Sequence, residues 1–175
     1  MTTITISGLP GTGKTTVARL LEHRLGLKYV YVGEIFRRLA KKYHMTLEEF
    51  GAYCEHHREI DEELDAYQLE LLRKGNVVLE GRLAGWLAYR NQIPAVKILL
   101  DAPLEVRAGR IVNRERGDVE KRKQEIVKRE RSEAKRYKTY YGVDVSDTSI
   151  YDLRIDSSDK PPETIVALIL RHLRT

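Results

Sequence analysis

Short apolar runs in this chain alternate with longer stretches in which apolar residues recur every three to four positions. Thr2-Thr3-Ile4-Thr5-Ile6 alternates as a strand does, and the spacing predicts a strand over 2–7 and a helix over 14–25. A strand over 28–32 and a helix over 34–43 follow. Thr46 and Glu49 form a capping box that opens a helical stretch from 46 to about 74, with a break near 57–60 and a stop at Gly75-Asn76. Val77–Glu80 and Val96–Asp101 read as fully buried strands. Helices over 104–114 and 119–139 flank a charged turn, Leu153–Asp156 is the last strand, and Pro161-Pro162 opens a final helix over 162–173. Strands alternating with helices predict an α/β fold, a five-stranded parallel sheet with helices on both faces. Ligands of such sheets bind at the carboxyl ends of the strands, where Gly33, Glu80 and Asp101 fall.

Composition narrows the class. With 175 residues, 42% apolar and 33% charged, the chain is most simply a single domain with a sizeable core. No apolar run reaches the roughly 20 residues of a membrane span, and the chain enters a strand at once, so a cytoplasmic protein without membrane partners is expected. One cysteine, Cys54, leaves no intrachain disulfide and no multi-cysteine metal site. The net charge is +5, but residues 107–138 carry thirteen Lys/Arg against six Asp/Glu, so the rest of the chain is slightly acidic. A local basic patch suits a polyphosphate better than a long nucleic acid.

The segment Gly8-Leu9-Pro10-Gly11-Thr12-Gly13-Lys14-Thr15 fits G-x-x-x-x-G-K-[ST], between a predicted strand and a predicted helix. Its glycines let backbone N–H groups turn inward onto phosphate oxygens, and the helix adds its positive end. With Thr16 following, this is a triphosphate-binding loop. Lys14 can reach the β- and γ-phosphates, and the Thr15 hydroxyl can ligate Mg²⁺. Arg37 and Arg38 follow the second strand. Glu80-Gly81-Arg82 puts a carboxylate and an arginine in one tight turn, with Gly81 permitting close approach. Arginine suits these places because its fork binds phosphate in a bidentate manner. Arg38 is more simply a solvated or paired surface residue. Arg107, Arg110 and Arg114 share one helix face, and Arg129, Glu133 and Arg136 share another. Two basic faces joined by a short turn make a lid, while Arg116, Arg122 and Arg131 read as salt-bridged surface residues.

In these motifs the chain resembles the nucleoside monophosphate kinases, and most of all the small archaeal type of cytidylate kinase, over its whole length. Gly8 to Thr15 is similar to that family's P-loop. Gly33-Glu34-Ile35-Phe36-Arg37 resembles its monophosphate-binding turn, which implies that Arg37 holds the acceptor phosphate. Glu80-Gly81-Arg82 resembles the (D/E)-G-R of cytidylate kinases. Arg110-Ile111-Val112-Asn113-Arg114 resembles the segment that opens the lid, and Arg129, Glu133 and Arg136 the set that closes it. Fourteen residues separate Arg114 from Arg129, so the lid is short. Leu83 departs from the bacterial members, which carry an acid there to read cytosine. Asp61 and Asp65, one helical turn apart, are the candidates for that task, against the alternative of a solvated helix face.

The resemblance implies ATP and Mg²⁺ as cofactors, with Thr15 on the metal and Glu80 holding it through a water. It implies Lys14, Arg110, Arg114, Arg129 and Arg136 as the charge-stabilising set and Arg37, Gly81 and Arg82 around the acceptor, CMP or dCMP, with Asp61 placed there by its chemistry alone. About 34–74 would form the monophosphate-binding region and about 110–136 the lid. A monomer is expected. Rival readings are a kinase of the same fold acting on UMP, AMP or another small acceptor, a P-loop ATPase assembly factor gripping RNA, and a regulatory nucleotide sensor. The chain has no aromatic-rich strand that would stack bases.

Overall fold

The computed structural model describes residues 2–174. The chain runs β1 (Ile4–Ser7), α1 (Lys14–Leu25), β2 (Lys28–Tyr31), α2 (Val32–Lys42), α3 (Leu47–Cys54), α4 (Arg58–Lys74), β3 (Val77–Glu80), α5 (Ala84–Arg90), β4 (Val96–Asp101), α6 (Leu104–Glu115), α7 (Val119–Tyr141), β5 (Leu153–Asp156) and α8 (Pro162–His172). The five strands form one parallel sheet in the order β2-β3-β1-β4-β5. The first connection crosses over β3, so β1 lies between β3 and β4, and the loops after β1, β2 and β3 open at one edge.

The period of two along the strands divides the core. Ile4, Ile6, Val78, Ile98 and Leu100 point to one face, where Val17 and Leu21 of α1 and Ile165, Val166 and Ile169 of α8 cover them. Val77 and Leu79 point to the other, under Leu71 and Leu72 of α4, Trp86 and Leu87 of α5 and Tyr137 of α7. A third cluster, Ala40, Phe50, Cys54, Ile60 and Leu64, joins α2, α3 and α4. Ala108, Ile111 and Ile126 join α6 to α7.

Most predicted elements are present, with bounds shifted by one or two residues. The break in the 46–74 stretch falls at 55–57, slightly before its expected place. The Thr46 capping box has both bonds: Thr46 Oγ1 accepts from the Glu49 N–H at 3.1 Å, and Glu49 accepts from the Thr46 N–H at 2.7 Å. Helix α5 was not legible in the sequence. Five of its seven residues are buried, so no polar face marks its period.

Candidate active site

The loop between β1 and α1 owes its shape to close packing. A Cβ on Gly8 (φ +152°) would lie 2.3 Å from the Leu100 carbonyl oxygen, and one on Gly11 (φ +82°) 2.6 Å from that of Arg107. Three successive carbonyls of the loop are held from outside. Arg107 Nη1 donates to the Pro10 oxygen at 3.3 Å, Arg110 Nη1 to the Gly11 oxygen at 3.2 Å, and Ser157 Oγ to the Thr12 oxygen at 2.7 Å. Arg107 is 5% exposed and also binds Glu130 at 2.6 Å; Arg110 bonds Ser157 as well. With its carbonyls tied outward, the loop has N–H groups left to face an anion.

Lys14, Thr15, Arg37, Arg82, Arg114 and Arg129 line one cavity with Glu80, Gly81, Glu133, Arg136 and the Asp61, Asp65 and Gln68 side chains of α4. Burial, and then the Arg82 charge, lower the Lys14 ammonium to about 7; its Nζ donates to the Leu9 carbonyl at 2.9 Å. Arg82 pairs with Glu133 through Nε at 3.2 Å, while its Nη1 is buried without a partner. Arg129 carries a pKa lowered by burial and by the positive charges of Arg82 and Arg37. Desolvated cations crowded in this way form a socket for a multiply charged anion.

Glu80, at the end of β3, is 1% exposed. Its Oε1 accepts from Thr15 Oγ1 at 3.1 Å and its Oε2 from the Tyr29 hydroxyl at 2.6 Å. Among the described residues no group of three or more His, Cys, Asp or Glu is gathered. One hydroxyl and one carboxylate fit Mg²⁺, which takes few protein oxygens and completes its shell with phosphates and water.

The predicted residues do not all share this cavity. Arg110 does not line it and instead clamps the outer side of the P-loop. Arg136 does line it, 3% exposed, but its Nε is committed to Asp61 at 2.8 Å and its Nη1 to Ser132 at 3.2 Å. Asp61 is correspondingly occupied by Arg136. The solvated alternative for Asp61 and Asp65 is ruled out, because they are 4% and 7% exposed. Arg38 pairs with Glu34 at 2.7 Å and Arg122 with Glu125 at 2.8 Å, as surface residues do. Leu83, 3% exposed, gives the cavity an apolar wall. Nothing in the sequence marks Tyr29, Gln68 or Ser157 as site residues, since their partners are brought together only by the fold. The spacing places Arg107 on the lid face, but the structure has it support the P-loop from outside through the Pro10 carbonyl.

A P-loop at the carboxyl edge of a β2-β3-β1-β4-β5 parallel sheet, facing a second set of arginines, defines the class: a P-loop kinase fold. Solved structures agree. An uncharacterized protein from Eubacterium ventriosum superimposes with a TM-score of 0.73 at 17% identity, covering 100% of this chain and 99% of that one. Shikimate kinase from Aquifex aeolicus does so with a TM-score of 0.59 at 20% identity, covering 98% and 95%. The model of the cytidylate kinase-like family matches residues 3–159, and the chain belongs to that family. The cytidylate kinase of Methanocaldococcus jannaschii is 49% identical over 167 residues, 95% of this chain and 94% of the relative. That of Pyrococcus horikoshii is 48% identical over 166 residues, 95% and 85% respectively.

Proposed function

We propose that this protein transfers the γ-phosphoryl group of ATP to CMP, and to dCMP, giving the diphosphate and ADP. The observation that carries the reading is the pairing of a P-loop with a separate arginine socket in one cavity, in a chain nearly half identical to cytidylate kinases over 95% of its length.

ATP lies with its phosphates against the N–H groups from Gly8 to Thr16. Lys14 bridges the β- and γ-phosphates. Thr15 would hold Mg²⁺ directly and Glu80 would hold it through a water, and the ion would neutralise phosphate charge there. Arg37 and Arg82 hold the acceptor phosphate, with the unpartnered Arg82 Nη1 the group most ready to take it. Gly81 lets the acceptor close to the backbone. The acceptor oxygen is already ionised at neutral pH, so no protein base is needed and catalysis is positioning plus charge stabilisation. Lys14, Arg114 and Arg129 take the charge that spreads over the transferring group. Arg110 and Arg136 act one step back, the first by fixing the loop and the second by fixing the wall of α4. Residues of about 110–136 form the lid and those of about 34–74 the monophosphate region, within one domain. Closing the lid excludes water that would otherwise hydrolyse ATP.

The enzyme is proposed to be monomeric and cytoplasmic; no helix among the described residues is long and apolar enough to cross a membrane. The test is a coupled assay for ADP with CMP, dCMP, UMP, AMP and GMP as acceptors. CMP and dCMP are expected to give the highest kcat/KM. Failure of all five acceptors, with ADP formed only in the presence of RNA, would instead favour the assembly-factor reading.

A further inference from the structure

Two buried hydrogen-bond acceptors in the cavity have nothing to accept. Asp65 and Gln68 stand one turn apart on α4, 7% and 3% exposed. Gln68 Nε2 donates to Asp65 Oδ1 at 2.9 Å. That bond fixes the amide, because the reversed orientation would set two oxygens against each other. It leaves Gln68 Oε1 and Asp65 Oδ2 buried without hydrogen-bond partners. The Tyr141 hydroxyl lies near Asp65 but closes no bond of ordinary geometry with it. Gly81 makes room for the amide, since a Cβ there would come within 3.1 Å of Gln68 Oε1. Native proteins leave few such atoms unmatched, and each costs free energy until a donor arrives.

We infer that Asp65 and Gln68 read the base of the acceptor nucleotide, their two free oxygens taking the two hydrogens of an exocyclic amine. This inference rests on the CMP kinase reading. A cytosine N4 amine offers two donors in one plane, matching two neighbouring acceptors. With Asp65 ionised, a uracil O4 in the same place sets a third acceptor against them and leaves all three unpaired, which is how a polar pocket rejects a near-isostere strongly. Of the two carboxylates on α4 that the sequence offers for this task, Asp65 is the one left free, because Asp61 Oδ2 already serves Arg136. Leu64, Leu83 and Tyr137 line the same cavity and supply apolar surface for the ring.

The test compares wild type with Asp65→Asn and Gln68→Leu, measuring kcat/KM for CMP and for UMP alongside thermal unfolding. Each folded variant is expected to lose about tenfold to a hundredfold in the CMP-to-UMP ratio of kcat/KM. A ratio within about threefold of wild type in both would overturn the assignment while leaving the kinase reading intact. No transfer by wild type to any nucleoside monophosphate would sink that reading and this one together. Should the variants fail to fold, wild-type affinity for the CMP analogue with hydrogen in place of the 4-amino group decides the matter. At least tenfold weaker binding than CMP is expected, and equal binding would refute the role.

Discussion

At the scale of single residues, the site is defined by what its cations lack. Lys14 is lowered to about 7 by burial and by Arg82, with Arg107 also opposing its charge and Glu80 and Glu133 favouring it. Its ordinary value is 10.5, so near pH 8 the free enzyme holds it mostly neutral. A polyphosphate beside it restores the charge, so binding of ATP at pH 8 should take up close to one proton. Calorimetry in buffers of different ionisation enthalpy measures this directly, and zero uptake would contradict the assignment. Arg129 is desolvated among other arginines, a cost that Glu133 opposes in part and that a bound phosphate would offset further. Arg129→Ala is therefore expected to lower kcat about a hundredfold or more, with a smaller rise in KM for CMP. A near-normal kcat would remove Arg129 from the charge-stabilising set.

At the scale of elements, α4 and α7 carry a buried polar seam that decides pH behaviour. Burial raises Asp65 to about 7 from an ordinary 3.8; Asp61 and Glu62 on its own helix add to the rise, while Arg136 and Tyr141 of α7 oppose it. Between about pH 4 and pH 7 the folded protein holds a proton that the unfolded chain has released. Stability therefore falls as pH rises through that window. Asp65→Asn lacks this loss and is expected to exceed wild type in stability by more than about 1 kcal/mol at pH 8, with the gain vanishing near pH 4. Urea midpoints at the two pH values check it, and a pH-independent difference would contradict it. The elements themselves were largely legible because β1 alternates, β3 and β4 are short apolar runs, and most helices keep their period. The P-loop, Arg37, Glu80 and Arg82 were legible because a motif fixes their spacing. Helix α5, buried on nearly every side, left no amphipathic trace. Tyr29 reaches Glu80 across 51 residues, and Arg136 reaches Asp61 across 75, so neither partnership has a local signature. Asp61 and Asp65 could be named from their spacing, but only the packing of α7 on α4 separates a residue that fixes an arginine from one with a free acceptor.

For the whole molecule, the sheet order places the P-loop beside the end of β3, which brings Lys14 and Thr15 into one cavity with Glu80 and Arg82, where the proposed reaction has the donor and acceptor phosphates meet. The α6–α7 hairpin supports the loop from one side through Arg107 and Arg110, and supplies Arg114 and Arg129 to the cavity from above. It also spans to α3, where Lys128 meets Glu48 at 2.9 Å and Lys135 meets Glu55 at 2.6 Å. The Tyr140 hydroxyl adds a bond to the Cys54 carbonyl at the end of α3, so α7 rests on α3 by more than exposed ion pairs, which contribute little to stability. Such a closed two-socket site should move the phosphoryl group between nucleotides and not to water. The direct measurement is the fate of labelled γ-phosphate from ATP·Mg²⁺ in the presence of CMP. The expected result is label in CDP, formed at least about a hundredfold faster than free phosphate. Label released only as free phosphate, at a rate unaffected by CMP, would contradict the account.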